Sequence, residues 1–274
     1  MTYNFYDNAD AEPLIAEALN RIYSDYGVRT SVRVKAKSLL KFGRNPNVGT
    51  SLATIWYTGQ DDADETYAAD NTNSIDTISS SDAGDTEIVT VEGHTMSGGD
   101  KTFVTQPATL NGQNKVTLTT ALNRVTRVYH AGQSDTDLVG EVYVYEDTGL
   151  TGGKPTDTTK IHLTVPAGLN QSEKASTSLS SIDYWILTSM RASILEKTTN
   201  IFADVRLEVR LSGGVFRPRE QLSVSSAGGT VTLPFAPYLV IPANADARLR
   251  AFASAGGTDV TASMQGFLAT IYTA

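Results

Sequence analysis

The chain contains no cysteine, which excludes disulfides, thiolate metal sites and a thiol nucleophile together. No apolar run approaches the roughly 18 residues of a membrane-spanning helix. The opening MTYNFYDNADAEP lacks the basic-then-apolar order of a signal peptide, so the expectation is a soluble protein made in the cytoplasm, with no membrane partner. Histidine is scarce: His94, His130 and His162 are isolated from one another, and none has a second histidine at metal-ligand spacing. The glycine pairs in SGGD and SAGG lack the Lys-Ser/Thr ending and following helix of a phosphate cradle, and no Gly-x-Ser-x-Gly elbow occurs. These gaps lead to the expectation of a protein that is not an enzyme and holds no cofactor or metal.

Basic charge is also in short supply. Twenty-two Lys and Arg against 30 Asp and Glu give a net charge of −8, which argues against specific nucleic-acid binding, since phosphate contacts need a surplus of cations on some face. The basic residues that exist are bunched: Arg29, Arg33, Lys35, Lys37, Lys41 and Arg44 fall together with no acidic residue among them, and the stretch from Asn45 to Asp100 then carries acidic residues and no Lys or Arg. Such blocks are either solvated faces or docking surfaces for a partner. Within the acidic block, Asp61, Asp62, Asp64 and Glu65 offer oxygen ligands without the ordered spacing of a calcium loop, which favours a solvated loop. A carboxylate pair for sugar hydrolysis stays open, because the separation that matters is spatial.

What is present in quantity is β pattern. VRVKAK alternates Val32, Val34 and Ala36 against Arg33, Lys35 and Lys37; turn signals recur at short intervals; and Asn111-Gly112 marks a hairpin. IDYWILTSMRASILEK suits a helix through Ile182, Trp185, Ile186 and Ile194, and a strand through Tyr184, Ile186, Met190, Ala192 and Ile194; its β neighbours and residue types favour the strand. One helix is expected over DAEPLIAEALNRIYSDYG, with Asp10 as N-cap, Pro13 in the first turn and Gly27 as stop. Its apolar stripe of Leu14, Ala18, Leu19, Ile22 and Tyr26 must cover either its own β domain or a neighbouring subunit. The fold class expected is mainly β: two β-sandwich-like modules, jelly-roll or Ig-like, with one N-terminal α-helix. The divisions are 1–58 for the helix and basic arm, 59–155 for the first β module and 156–274 for the C-terminal module.

The stretch ADVRLEVRLSGGVFRPRE poses a choice between a binding patch and a wet strand. Val205, Leu207, Val209 and Leu211 fall on one face and Asp204, Arg206, Glu208 and Arg210 on the other, so alternating charges in solvent are the simpler reading. Gly213-Gly214 supplies the turn of a hairpin. Phe216, Arg217 and Arg219 lie beyond it and, with Arg33, Lys35, Lys37, Lys41 and Arg44, make up the candidate partner-docking set. His162, between Ile161 and Leu163, reads as a structural neighbour of core residues, on the wet face of its strand. Tyr129, Tyr143 and Tyr145 alternate on strands, either as a carbohydrate platform or as half-buried strand residues.

The order LLKFGRNPNVGTSLATIWYTG, SIDTISSSDAGDTEIVTVEG, TLNGQNKVTLT, LNRVTRVY, HLTVPAG, SGGVFRPRE and TASMQGFLATIY, over about residues 39–272, resembles a family of virion structural proteins of tailed bacteriophages, common in marine ones. The resemblance implies a non-enzymatic, oligomeric particle component, of head-decoration or tail-associated type. Its partners would be other copies of itself and the major capsid or tail and portal proteins, and its place the virion. It carries no catalytic residues over. A receptor- or glycan-binding tail protein and a polysaccharide-degrading enzyme are the alternatives; the first needs an exposed aromatic groove and the second a cleft with converging carboxylates.

Overall fold

The computed structural model describes residues 32–57, 65, 67–68, 72–132, 136–195 and 200–273. The helix expected at 10–27, Arg29 and the acidic residues Asp61, Asp62 and Asp64 lie outside them. In chain order the strands are β1 (Val32–Val48), β2 (Ala53–Thr54), β3 (Ile75–Ser80), β4 (Ile88–Ser97), β5 (Asp100–Thr109), β6 (Val116–Leu122), β7 (Arg124–His130), β8 (Val142–Glu146), β9 (Leu150–Thr151) and β10 (Lys154–Pro155). After one 3-10 turn at Thr158–Lys160 come β11 (Ile161–Val165), β12 (Ser176–Ser178), β13 (Asp183–Ile194), β14 (Phe202–Arg210), β15 (Arg217–Ser225), β16 (Val231–Ile241), β17 (Asp246–Ala253) and β18 (Thr258–Thr273). The protein is mainly β, and its ladders between these strands are antiparallel.

Two cores organise the strands. Sheets β11-β8-β3-β6 and β5-β4-β7 enclose Ile78, Val91, Leu122, Val128, Val144 and Leu163. Sheets β1-β18-β13-β16 and β12-β17-β14-β15 enclose Trp185, Leu187, Met190, Leu207, Leu249 and Met264. The first strand pairs along most of its length with the last, from Val32 opposite Thr273 to Val48 opposite Thr258. The first core is therefore inserted into the second, and the cores part the chain elsewhere than at 58 and 155: β1 and β2 belong with the C-terminal strands, while β11 adds to β8 of the first core.

Local irregularities explain where periodicity misleads. β13 is a strand, but its inward phase changes: Trp185 and Leu187 face the core, then Met190, Ala192 and Ile194 do. The ladders to β16 and β18 both shift register between Leu187 and Ser189, and the extra residue of a bulge moves the inward face from odd to even positions. Gly266, opposite Leu187, permits this close approach, since a Cβ there would stand 2.1 Å from the Ile186 carbonyl oxygen. Asn111-Gly112 does turn the chain, with Gly112 at φ +54°, yet it makes no hairpin between its flanking strands. β5 pairs with β4, and β6 pairs with β3 in the other sheet, so the turn is a crossing between layers.

Candidate functional site

The charged face of β14 is not a wet face. Val205, Leu207 and Val209 point into the core as the alternation requires, while Leu211 lies beyond the strand and is exposed. On the opposite face Asp204 and Arg206 are half-buried; Asp204 accepts from Ser223, and Arg206 donates to Gln221 and stands over the Phe252 ring. Arg210 lies against the Tyr67 ring of the first module. Glu208 is buried and accepts from Arg248 at 3.0 Å. Arg210 reaches Asp246 at 2.6 Å. The register sets these pairs directly across, Glu208 against Arg248 and Arg210 against Asp246, so the mixed charges of β14 are answered by those of β17 and not by water.

Asp246 is the hub of this seam. Its Oδ1 accepts from Lys101 Nζ of β5 at 2.6 Å and from Ser178 Oγ at 2.6 Å; its Oδ2 faces Arg210 and, at 3.6 Å, Arg124 of β7. Burial alone would raise its carboxyl, but the charges of Lys101, Arg124 and Arg210 hold it down at about 2. Lys101 also donates to the Asn244 carbonyl at 2.8 Å, and its amide to the Asn244 side chain at 2.9 Å. Tyr67 and Phe216, 5.2 Å apart, are stacked among the guanidinium groups: Arg210 and Arg124 lie over Tyr67 at 4.5 and 5.1 Å, and Arg248 over Phe216 at 3.8 Å. A second buried pair, Lys174 with Glu65 at 2.8 Å, extends the seam, and Lys174 also donates to the carbonyls of Val125 and His162. Desolvated ion pairs of this kind hold geometry tightly, because removal of one member strands the other.

A cleft of about 720 Å³ opens beside the seam, between β1, the sheet β5-β4-β7 and the segment 177–183. Six consecutive residues of β1, Lys37 to Phe42, line it. Lys37 is exposed with its Nζ 5.8 Å above the Phe103 ring, and Arg127 stacks on Tyr129 at 4.3 Å while donating to Gln171. Lys41 is buried and donates to the Thr126 carbonyl at 3.0 Å; burial lowers its ammonium to about 8, against the opposing pull of Glu92. Leu40, Phe103 and Ile182 are exposed large apolar residues on the rim.

The candidate docking set is thus divided. Lys37 and Lys41 share the cleft, but Lys41 is not part of a surface patch, because β1 passes beneath Thr126 at that point. Lys35 is exposed, and Arg33 stands in β1 opposite Tyr272. Arg44 is exposed yet clasps Asp259 through Nε and Nη2, at 2.7 Å for the shortest contact. On the other hairpin, Phe216 is held inside the seam, while Arg217 and Arg219 are exposed on β15, at the edge of its sheet. Arg219 is the extra residue of a bulge, since Leu207 pairs with Glu220 and Glu208 with Pro218. Arg-Pro-Arg there is the composition that keeps an edge strand from pairing.

The remaining candidates are structural. Tyr143 and Tyr145 are fully buried, so they form no carbohydrate platform, and Tyr129 lies under Arg127. His162 is buried, against Glu146 at 3.0 Å, and not on a wet face. His94 is buried edge-on to Phe103, and burial and Lys101 lower its imidazolium to about 3, which keeps it neutral. Among the described residues no three His, Asp or Glu converge on a metal position, and no helix is long and apolar enough to cross a membrane. Sequence reasoning missed Arg127, Phe103 and the Asp246 hub. The one available signal was DARLR of β17, complementary in charge to EVR of β14 once the antiparallel register is known.

No family model matches the chain, and no curated protein does. Solved structures give faint overlaps. The structure of the infectious bursal disease virus Gt strain aligns at 13% identity and TM-score 0.22, over 90% of this chain and 73% of its own. That of the Gx strain aligns at 10% identity and TM-score 0.23, over 89% and 76%. The VP2 subviral particle of the same virus aligns at 11% identity and TM-score 0.20, over 90% and 73%. Overlaps at these scores carry no argument about fold or function.

Proposed function

We propose that this protein is a non-enzymatic structural component of a tailed-phage virion, built as two sandwich-like β modules, that associates with its own copies and docks on the capsid or tail. The observation that carries the reading is the ordered set of segments from LLKFGRNP to QGFLATIY, which resembles the virion family over most of the described chain. The side chains of those segments support it by what they do. Ser80 and the amides of Val139 and Gly140 all bond Asp85 of the SSSDAGD loop, Arg124 of RVTRV enters the seam, and Arg44 of KFGRNP ties β1 to Asp259. These groups are spent on holding a rigid body, as a particle component requires, and not on presenting a reacting constellation.

Antibody to the chain, applied to purified particles of the phage that encodes it, tests the reading. Label at regular positions on the head or tail is expected. Absence from purified particles, with the protein abundant in the infected lysate, would overturn it.

A further inference from the structure

We infer that the cleft between β1, the sheet β5-β4-β7 and the segment 177–183 is a binding site for a neutral saccharide. Its wall carries hydrogen-bonding groups that the protein itself does not use. Glu92, half-buried on β4, has neither a side-chain hydrogen bond nor an ion pair among the described residues, although Arg127 stands directly across from it in the ladder. The hydroxyls of Ser38, Thr102 and Ser181 are likewise without a partner there, and the Lys37 ammonium rests over the Phe103 ring with no carboxylate beside it. By contrast the buried carboxylates Asp246, Glu65 and Glu208 are answered by Lys101, Lys174 and Arg248. A half-buried carboxylate left open in a protein that otherwise pairs its charges is a place for a donor from outside.

Charge and shape select the class of ligand. With Lys101 and Lys174 committed and Lys41 enclosed, Lys37 and Arg127 line the cleft against Glu92 and Asp183, so the signs balance and no ionic ligand is favoured. Donors and acceptors interspersed with hydroxyls complement a ligand whose polar groups each donate and accept, which is the character of a sugar hydroxyl. A zwitterion would satisfy the charges but leave the hydroxyls and the ring unused. The Phe103 ring, 43% exposed, offers a flat apolar surface to the C–H face of a pyranose, with Leu40 and Ile182 exposed on the same rim. Much of the wall is fixed before anything enters: Arg127 lies on Tyr129 and donates to Gln171, and Asp183 is held by Ser180 and Thr270, which keeps the ordering cost of binding low. The volume of about 720 Å³ falls among small-molecule sites of about 300–1,000 Å³. The inference does not depend on the particle assignment.

The test uses the full chain and four neutral trisaccharides, built of glucose, galactose, mannose and N-acetylglucosamine, beside the zwitterionic dipeptide glycyl-valine. Binding is read by saturation-transfer NMR and titration, and its place by hydrogen exchange. At least one trisaccharide should bind in the millimolar range or tighter, change less than about twofold as salt rises from about 0.05 to about 0.5 M, and slow exchange within residues 37–42, 102–103 and 180–183. The dipeptide should not bind. Glu92→Gln and Phe103→Ala should each weaken binding about tenfold with the thermal midpoint unchanged. Phe103→Leu, which keeps apolar bulk and loses the flat ring, should weaken it as well and serves if the alanine variant does not fold. Failure of all four trisaccharides to bind, equal binding of the dipeptide, protection elsewhere in the chain, or full affinity in Glu92→Gln or Phe103→Leu would overturn the proposal.

Discussion

Asp246 shows how much can hang on one side chain. Three cations converge on a buried carboxylate, so Asp246→Asn leaves them mutually repelling in a medium that cannot solvate them. Denaturant titration should show a loss of about 3–5 kcal/mol. Because the carboxyl is depressed to about 2 from about 3.9 in an unfolded chain, its contribution is complete above about pH 4 and vanishes as pH falls through about 2. The gap between wild type and Asp246→Asn should close over that window. Lys41 behaves in the opposite sense. Its ammonium is lowered to about 8, so between there and about 10.4 the unfolded chain still holds a proton that the folded chain has released, and stability gained from this group rises with pH. Lys41→Met, which keeps the stem and drops the charge, should match or exceed wild type at pH 7 and lose that advantage near pH 10; a variant destabilised equally at both would refute this. Neither residue was legible as what it is. Lys41 sits in a cationic run that periodicity assigns to a solvated face, and only the passage of β1 under Thr126 buries it.

At the scale of the element, the alternation of β14 and β1 and the turn at Gly213 were readable, because a period of two and a glycine pair are local facts. What lies over a face is not local. The seam covers Glu208 and Arg210 but leaves Arg206 at its margin, and nothing in the alternating pattern distinguishes these positions. The phase of β13 was misread for a related reason: the bulge at Thr188 is set by its partners on both sides. Gly266→Ala tests that account. The added methyl would meet the Ile186 carbonyl oxygen at 2.1 Å, so a loss of about 1–3 kcal/mol is expected from thermal unfolding, with the change in exchange rates confined to β13 and β18. For β15, replacing Arg217, Pro218 and Arg219 with threonine and valine should convert a guarded edge into an adhesive one. Light scattering should rise with concentration; unchanged scattering would return these arginines to the role of partner contacts.

For the molecule as a whole, the charge blocks of the sequence are sorted by burial. Of the cations first grouped as a docking patch, Lys35 and Lys37 are exposed, whereas Arg44 is engaged with Asp259 and Lys41 is enclosed. Reversing Lys35 and Lys37 to Glu should therefore reduce association between copies, by sedimentation, without unfolding the chain, and the reduction should fade at high salt. Reversing Arg210 should instead act through folding, since its partner is the Asp246 hub. The insertion of one core into the other was not legible, because the pairing of β1 with β18 joins segments more than two hundred residues apart. That pairing has a geometric outcome for anything attached to the protein. Cα partners across an antiparallel ladder stand only about 5 Å apart, so chain leading into Val32 and chain leaving Thr273 share a single point of departure from the body. Two passengers fused at these positions would be held side by side, and a short linker joining them would allow the chain to be reopened at the exposed turn near Gly229 as a circular permutant with its sheets intact.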